Sequence, residues 1–113
     1  MVNTLYLPEI REMLAANDRE ELREFCTALH PARTAEFMEG LSATEAWEVL
    51  LAAELSTRVE IFSHFEEHFQ QEILESQDRD EIAELITELA PDDRVDALAD
   101  VEAAIVDELL VKI

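Results

Sequence analysis

Apolar residues fall at helical spacing along most of the chain. Leu22, Phe25, Cys26 and Leu29 form an i, i+3, i+4, i+7 stripe over residues 18–29, and Ile82, Leu85, Ile86 and Leu89 repeat it over residues 78–90. Such stripes predict one-sided helices with a polar outer face. Less regular groups predict further helices. They are Ile10, Met13 and Leu14; Phe37, Met38 and Leu41; Trp47, Val49 and Leu50; Val59, Phe62 and Phe65; Phe69, Ile73 and Leu74; Val95, Leu98 and Val101; and Ile105, Val106, Leu109 and Leu110.

Residues that start helices recur between these groups. Asp18, Ser42, Ser56 and Asp78 have side chains suited to N-caps, and Pro31 and Pro91 suit a first helical position. "SATE" (42–45) has the spacing of a capping box. His30 precedes Pro31 and is expected just before a helix. The starts recur every 10–14 residues or so, which leaves each helix only two or three turns, too short to be stable unless stacked on its neighbours.

The chain is also weakly self-similar. "LHPARTAEFMEGL" (29–41) and "LAPDDRVDALADV" (89–101) share Leu-x-Pro and a helical pattern behind it. "RVEIF" (58–62) and "RVDAL" (94–98) share Arg-Val-acid, which puts Glu60 and Asp96 in equivalent slots. Short helices with internal repeats predict an all-α, armadillo-like superhelix of eight to nine short helices, rather than an up-down bundle of long ones. The expected organisation is one domain over residues 1–113, enough chain to bury its own core.

Composition supports helix, with one glycine and three prolines. An apolar content of 49% separates the chain from disordered acidic tails. The net charge of −20 excludes nucleic acid as a natural partner and disfavours an anionic membrane surface. It favours cations or a basic protein surface. The acid is concentrated late: residues 66–108 hold sixteen acids and two bases, residues 1–65 twelve acids and five bases. Cys26 has no partner for an internal disulfide and sits in an apolar stripe, so it is expected to be a buried, inert thiol in a reducing compartment. No run approaches a membrane span of about 20 apolar residues. No signal peptide pattern is visible. The segment is expected to be soluble and cytoplasmic.

Enzyme signatures are missing: no phosphate loop, no nucleophile elbow, no Cys/His metal quartet. His64 and His68 are four apart, on what would be one helix face. In "HFEEH", however, Phe65 stands where a zincin needs Glu, so both are read as surface or boundary histidines. "ELAPDDRVDALAD" (88–100) packs five carboxylates into thirteen residues. Asp92 and Asp96 would share a helix face, with Asp93 and Asp100 nearby. Acids behind Pro91 also suit the positive end of a helix dipole, so the spacing alone leaves both a solvated helix start and part of a hard-cation site open.

Residues 22–65 together with "EIAELITELAPDDRVDALADV" (81–101) resemble the N-terminal cytosolic domain of MgtE-type magnesium transporters, over about Leu7 to Leu110. The "LHP" turn, the train of roughly twelve-residue helices and "DDRVDAL" carry the likeness. The resemblance implies a right-handed superhelix of short helices that precedes a pair of CBS domains and a transmembrane pore, on the cytosolic face of the inner membrane. It implies a Mg2+ sensor that docks on the CBS domains when Mg2+ is high and helps close the channel, the ions bridging two acidic surfaces. It also implies Glu60, Asp92 and Asp96 on the ion-bridged face, with Asp93 beside them, and Mg2+ bound weakly in half-sites shared with the partner domain. A homodimer is possible. The alternative is a stand-alone acidic helical-repeat module that binds protein and senses no metal.

Overall fold

The computed structural model describes residues 7–112; residues 1–6 and 113, the ends of the expected 1–113 domain, lie outside the described residues. The described chain forms nine α-helices and no strand: α1 (Leu7–Ala15), α2 (Arg19–Ala28), α3 (Pro31–Met38), α4 (Ala43–Leu51), α5 (Leu55–Ser63), α6 (Glu67–Ser76), α7 (Arg79–Glu88), α8 (Pro91–Leu98) and α9 (Ala103–Lys112). The all-α expectation holds, and the irregular intervals of the sequence reading resolve into a strict one. Each helix opens twelve residues after the helix before it, from Leu7 to Ala103. No described helix is long and apolar enough to cross a membrane.

The helices stack as a superhelix. α3, α5, α7 and α9 pack in succession along one row, and α2, α4, α6 and α8 along the other; α1 covers α2 and α4. One apolar cluster runs between the rows from Leu7 to Leu109. Trp47, Phe62, Met38, Leu50, Leu74 and Ile86 are among its buried side chains. Each large apolar side chain so buried contributes about 1.5–3 kcal/mol, which is what holds helices too short to persist alone.

The joints between helices are closed in two ways. α2, α3, α4 and α7 carry their own N-caps. The Asp18 and Asp78 carboxylates accept from the Glu21 and Glu81 N–H groups, Ser42 and Glu45 form the expected capping box, and His30 Nδ1 accepts from the Ala32 N–H at 3.1 Å. α5, α6 and α8 have no side-chain bond at the N-cap. In these three the fourth residue reaches back to the preceding helix end. Arg58 donates Nε to the Leu50 carbonyl and Nη2 to the Ala53 carbonyl, both at 3.1 Å. Gln70 Nε2 donates to the Phe62 carbonyl at 2.8 Å. Arg94 Nη2 donates to the carbonyls of Thr87 (3.1 Å) and Leu89 (3.4 Å). At Ala53, Thr87 and Leu89 these bonds satisfy carbonyls that a helix end leaves orphaned, and at Leu50 and Phe62 they add a second donor to the Ala53 and Phe65 N–H groups; a cation there also opposes the negative end of the dipole. The repeat between "RVEIF" and "RVDAL" therefore has a physical basis, since Arg58 and Arg94 perform the same closure.

Further ties recur every three helices, or thirty-six residues. Arg11 pairs with Glu45 at 3.1 Å, and Trp47 Nε1 donates to Glu81 at 2.9 Å. Glu39 accepts from the Glu66 N–H and Glu75 from the Glu102 N–H, both at 3.2 Å. The edge-to-face rings of Phe62, Phe65 and Phe69 correspond by the same shift to Leu98, Val101 and Ile105. Gly40 keeps a negative φ, so its value is space: a Cβ there would meet Leu7 Cδ1 at 2.5 Å, which lets α1 lie close to the α3–α4 joint.

Three local expectations are corrected. Ser56 is not a cap, because Glu54 takes the extended N-cap position and α5 opens at Leu55. Val95 is 69% exposed and Leu110 56%, although both belong to predicted apolar faces. Nothing among the described residues packs over those flanks as α7 and α8 do over α5 and α6. His64 and His68 do not share a helix, since His64 caps the C-terminus of α5 and His68 lies in α6.

Two predictions follow from the joints and the core. Replacing the buried Arg58 with Met leaves the Ala53 carbonyl without a donor and the Leu50 carbonyl with only the Ala53 N–H, and urea unfolding followed by circular dichroism is expected to lose about 3 kcal/mol. The half-buried Arg94, replaced likewise, costs about 1 kcal/mol; equal losses at the two sites would contradict the assignment. Cys26 is buried, donates Sγ–H to the Val49 carbonyl at 3.6 Å, and burial pushes its pKa up to about 12. It is therefore expected to resist a thiol-labelling reagent at pH 8 until urea unfolds the chain. Because the folded value is the raised one, its contribution to stability is intact below the unfolded value of about 9 and is lost as pH rises toward 12.

Candidate functional site

α8 carries three of the four acids singled out in the sequence, and its register decides where each goes. Pro91 fixes the first turn, so Asp92 and Asp93 fall in the first turn, where the dipole favours them. Asp96 follows one turn later. Arg94, the base among them, is withdrawn: its guanidinium is spent on the Thr87 and Leu89 carbonyls, with Nε buried and unbonded.

Asp93 and Asp96 line a groove of about 190 Å³ between α8 and the α5–α6 joint, with Phe62, Phe65, Ser63, Gln70 and Glu67 along its walls. Glu60 lies in a neighbouring open pocket with His30, Pro31, Val59 and His64, and Ser63 belongs to both hollows. The structure therefore brings Asp93 and Asp96 together, sets Glu60 beside them across Ser63, and leaves Asp92 exposed and outside both. The sequence reading had paired Asp92 with Asp96 by helical spacing. It missed Glu67, which opens α6 and joins Asp93 and Asp96 only because α6 packs on α8. No linear pattern connects Glu67 to them.

Electrostatically this flank is bare. Among the described residues, Glu60, Glu67, Asp92, Asp93 and Asp96 make no ion pair; the pairs present involve Glu45, Glu72, Glu84, Glu108 and Asp80. Carboxylate oxygens are the hard donors that Mg2+ takes, usually one or two together with retained waters. In donor chemistry the residues suit the ion. In number they do not enclose it, because no three His, Cys, Asp or Glu side chains among the described residues are grouped to hold a metal. An ion at Asp93 and Asp96 would need its remaining ligands from water or another surface.

The histidines form no comparable centre. His68 Nε2 lies 3.2 Å from Glu72 within α6, and the His30 and His64 rings meet edge to face at 5.8 Å. His30 Nδ1 is occupied as the α3 cap.

A model of the MgtE intracellular N domain matches residues 29–113. No curated protein and no solved structure matches the chain. The matched stretch begins at the "LHP" turn and contains Glu60, the groove and all of α8. The chain belongs to the MgtE intracellular N domain family.

Proposed function

We propose that this domain is the Mg2+-sensing regulatory element of a magnesium transporter, docking on CBS domains through cation-bridged acidic surfaces and so favouring the closed state. One observation carries the reading. Asp93 and Asp96 stand unpaired in one groove, while the only base on their helix is turned into a joint. A flank left this negative repels another acidic surface within a Debye length of about 8 Å at physiological salt. Mg2+ shared between the two surfaces replaces repulsion with attraction, so ion binding and docking are linked. Each surface holds half of the ligands. Glu67 joins the expected set of Glu60, Asp92, Asp93 and Asp96, and within that set Asp93 and Asp96 hold the central place.

The test uses the transporter with its CBS domains and limited proteolysis of the N domain across a Mg2+ titration, with NaCl matched for ionic strength. Mg2+ is expected to protect the domain. Asp93→Asn with Asp96→Asn is expected to shift the Mg2+ midpoint upward by about tenfold, within the usual range of coupling energies. Asp92→Asn alone should shift it less. Protection that is independent of Mg2+ and indifferent to these substitutions would instead make the domain a metal-free protein-interaction module.

A further inference from the structure

Of the side chains that close the joints described above, one is an imidazole. The others are carboxylates, a hydroxyl, guanidiniums and an amide, and groups of those types keep their protonation state between about pH 5 and 8, where an imidazole changes its own. His30 closes the start of α3 through Nδ1, which accepts from the Ala32 N–H at 3.1 Å. An accepting Nδ1 carries no proton, so the ring is neutral and its one proton sits on Nε2. Protonation turns the acceptor into a donor aimed at another donor. It also sets a cation at the positive end of the α3 dipole.

The neighbours of the ring give such a cation no compensating partner. From α5, Glu60 and His64 share the open hollow with His30, and the two rings meet edge to face at 5.8 Å. Neither ring is ion-paired; among the described residues the histidine that is paired is His68. On α3 itself the nearest charge is Arg33, of like sign, whose guanidinium stands over the Phe37 ring. The last turn of α2 brings Cys26, held to the Val49 carbonyl, and no charged side chain. α3 packs on both α2 and α5, so its first turn is shared by two contacts of the stack.

From this geometry we infer that His30 is a pH-sensitive latch on the α2–α3 joint: the neutral ring caps α3, and acidification through the imidazole range removes the cap and loosens the first turn of α3 from its neighbours. The sign follows from the bond. The neutral form is the one that caps, so the stability it contributes is present above that range and is lost as pH falls through it. The inference goes beyond the cation reading and does not depend on it, and its test is made with EDTA present.

The test compares the 113-residue chain with His30→Asn, because asparagine is a good N-cap and has no proton to gain in this range. Both are unfolded in urea at pH 7.5 and at pH 5.5. The carboxylates are common to both chains, so the difference between the two responses reads the latch. Acidification is expected to lower the folded-to-unfolded ratio of the unsubstituted chain about fivefold more than that of His30→Asn, the size of a typical cap. His64→Gln is expected to keep the response, since the cap bond does not use His64. Long-range nitrogen–proton NMR correlations at pH 7.5 are expected to place the His30 proton on Nε2. Equal responses of the unsubstituted chain and His30→Asn, a response abolished by His64→Gln, or a proton on Nδ1 at pH 7.5 would each overturn the proposal.

Discussion

Everything in this structure turns on the closure of helix ends. A helix of eight to ten residues leaves four amide donors at one end and four carbonyls at the other without an internal partner, so nearly every peptide group is near an end. Only α1 ends on a left-handed residue among the described residues, Asn17 with φ 53°; the one glycine keeps a negative φ and serves packing. The other joints use two devices. Where a short polar side chain stands at the N-cap, the helix closes its own start. Where Glu54, Glu66 or Ala90 stands there and makes no cap bond, a long donor four residues on closes the end of the helix before. The second device couples consecutive helices directly, so local order and stacking arrive together.

The first device was legible in the sequence because its chemistry is local. Asp18, Ser42, Asp78 and the two prolines announce helix starts by residue type alone. The second was not, because Arg58 and Arg94 read as ordinary surface bases until their guanidiniums are seen against carbonyls five to eight residues back. Their shared "RV-acid" context was visible, but not what it did. The twelve-residue pitch was blurred for a related reason. A slot is kept by apolar character rather than identity, so Phe62, Phe65 and Phe69 become Leu98, Val101 and Ile105, and the eye finds irregular spacing where the backbone has none. Val95 and Leu110 were misjudged because periodicity identifies an apolar face but not whether a neighbour exists to cover it.

The acidic flank shows the same division. Helical spacing put Asp92 and Asp96 on one face of α8, a correct statement about one helix. The groove, however, is a property of three elements, and packing against the α5–α6 joint selects Asp93 and Asp96 and adds Glu67. Arg94 links structure to electrostatics here. By closing α7 it is removed from the carboxylates on either side of it, so a residue used for folding also sets how negative its own helix stands toward solvent. The repeat equivalence of Glu60 and Asp96 describes register and does not place them in one hollow; Ser63 stands between their two.

The unbroken pitch has a consequence for how such a chain can change length. Inserting one residue inside a helix would turn everything after it by about 100° and break the joint donors and the thirty-six-residue ties together. Twelve added residues would restore the pitch, but would set Arg11-type and Glu39-type ties against the wrong partners. Only a whole three-helix block would return every side chain to its mate. The architecture is therefore quantised: it can drift in sequence while its spacing is held, and it can grow or shrink only by a complete block.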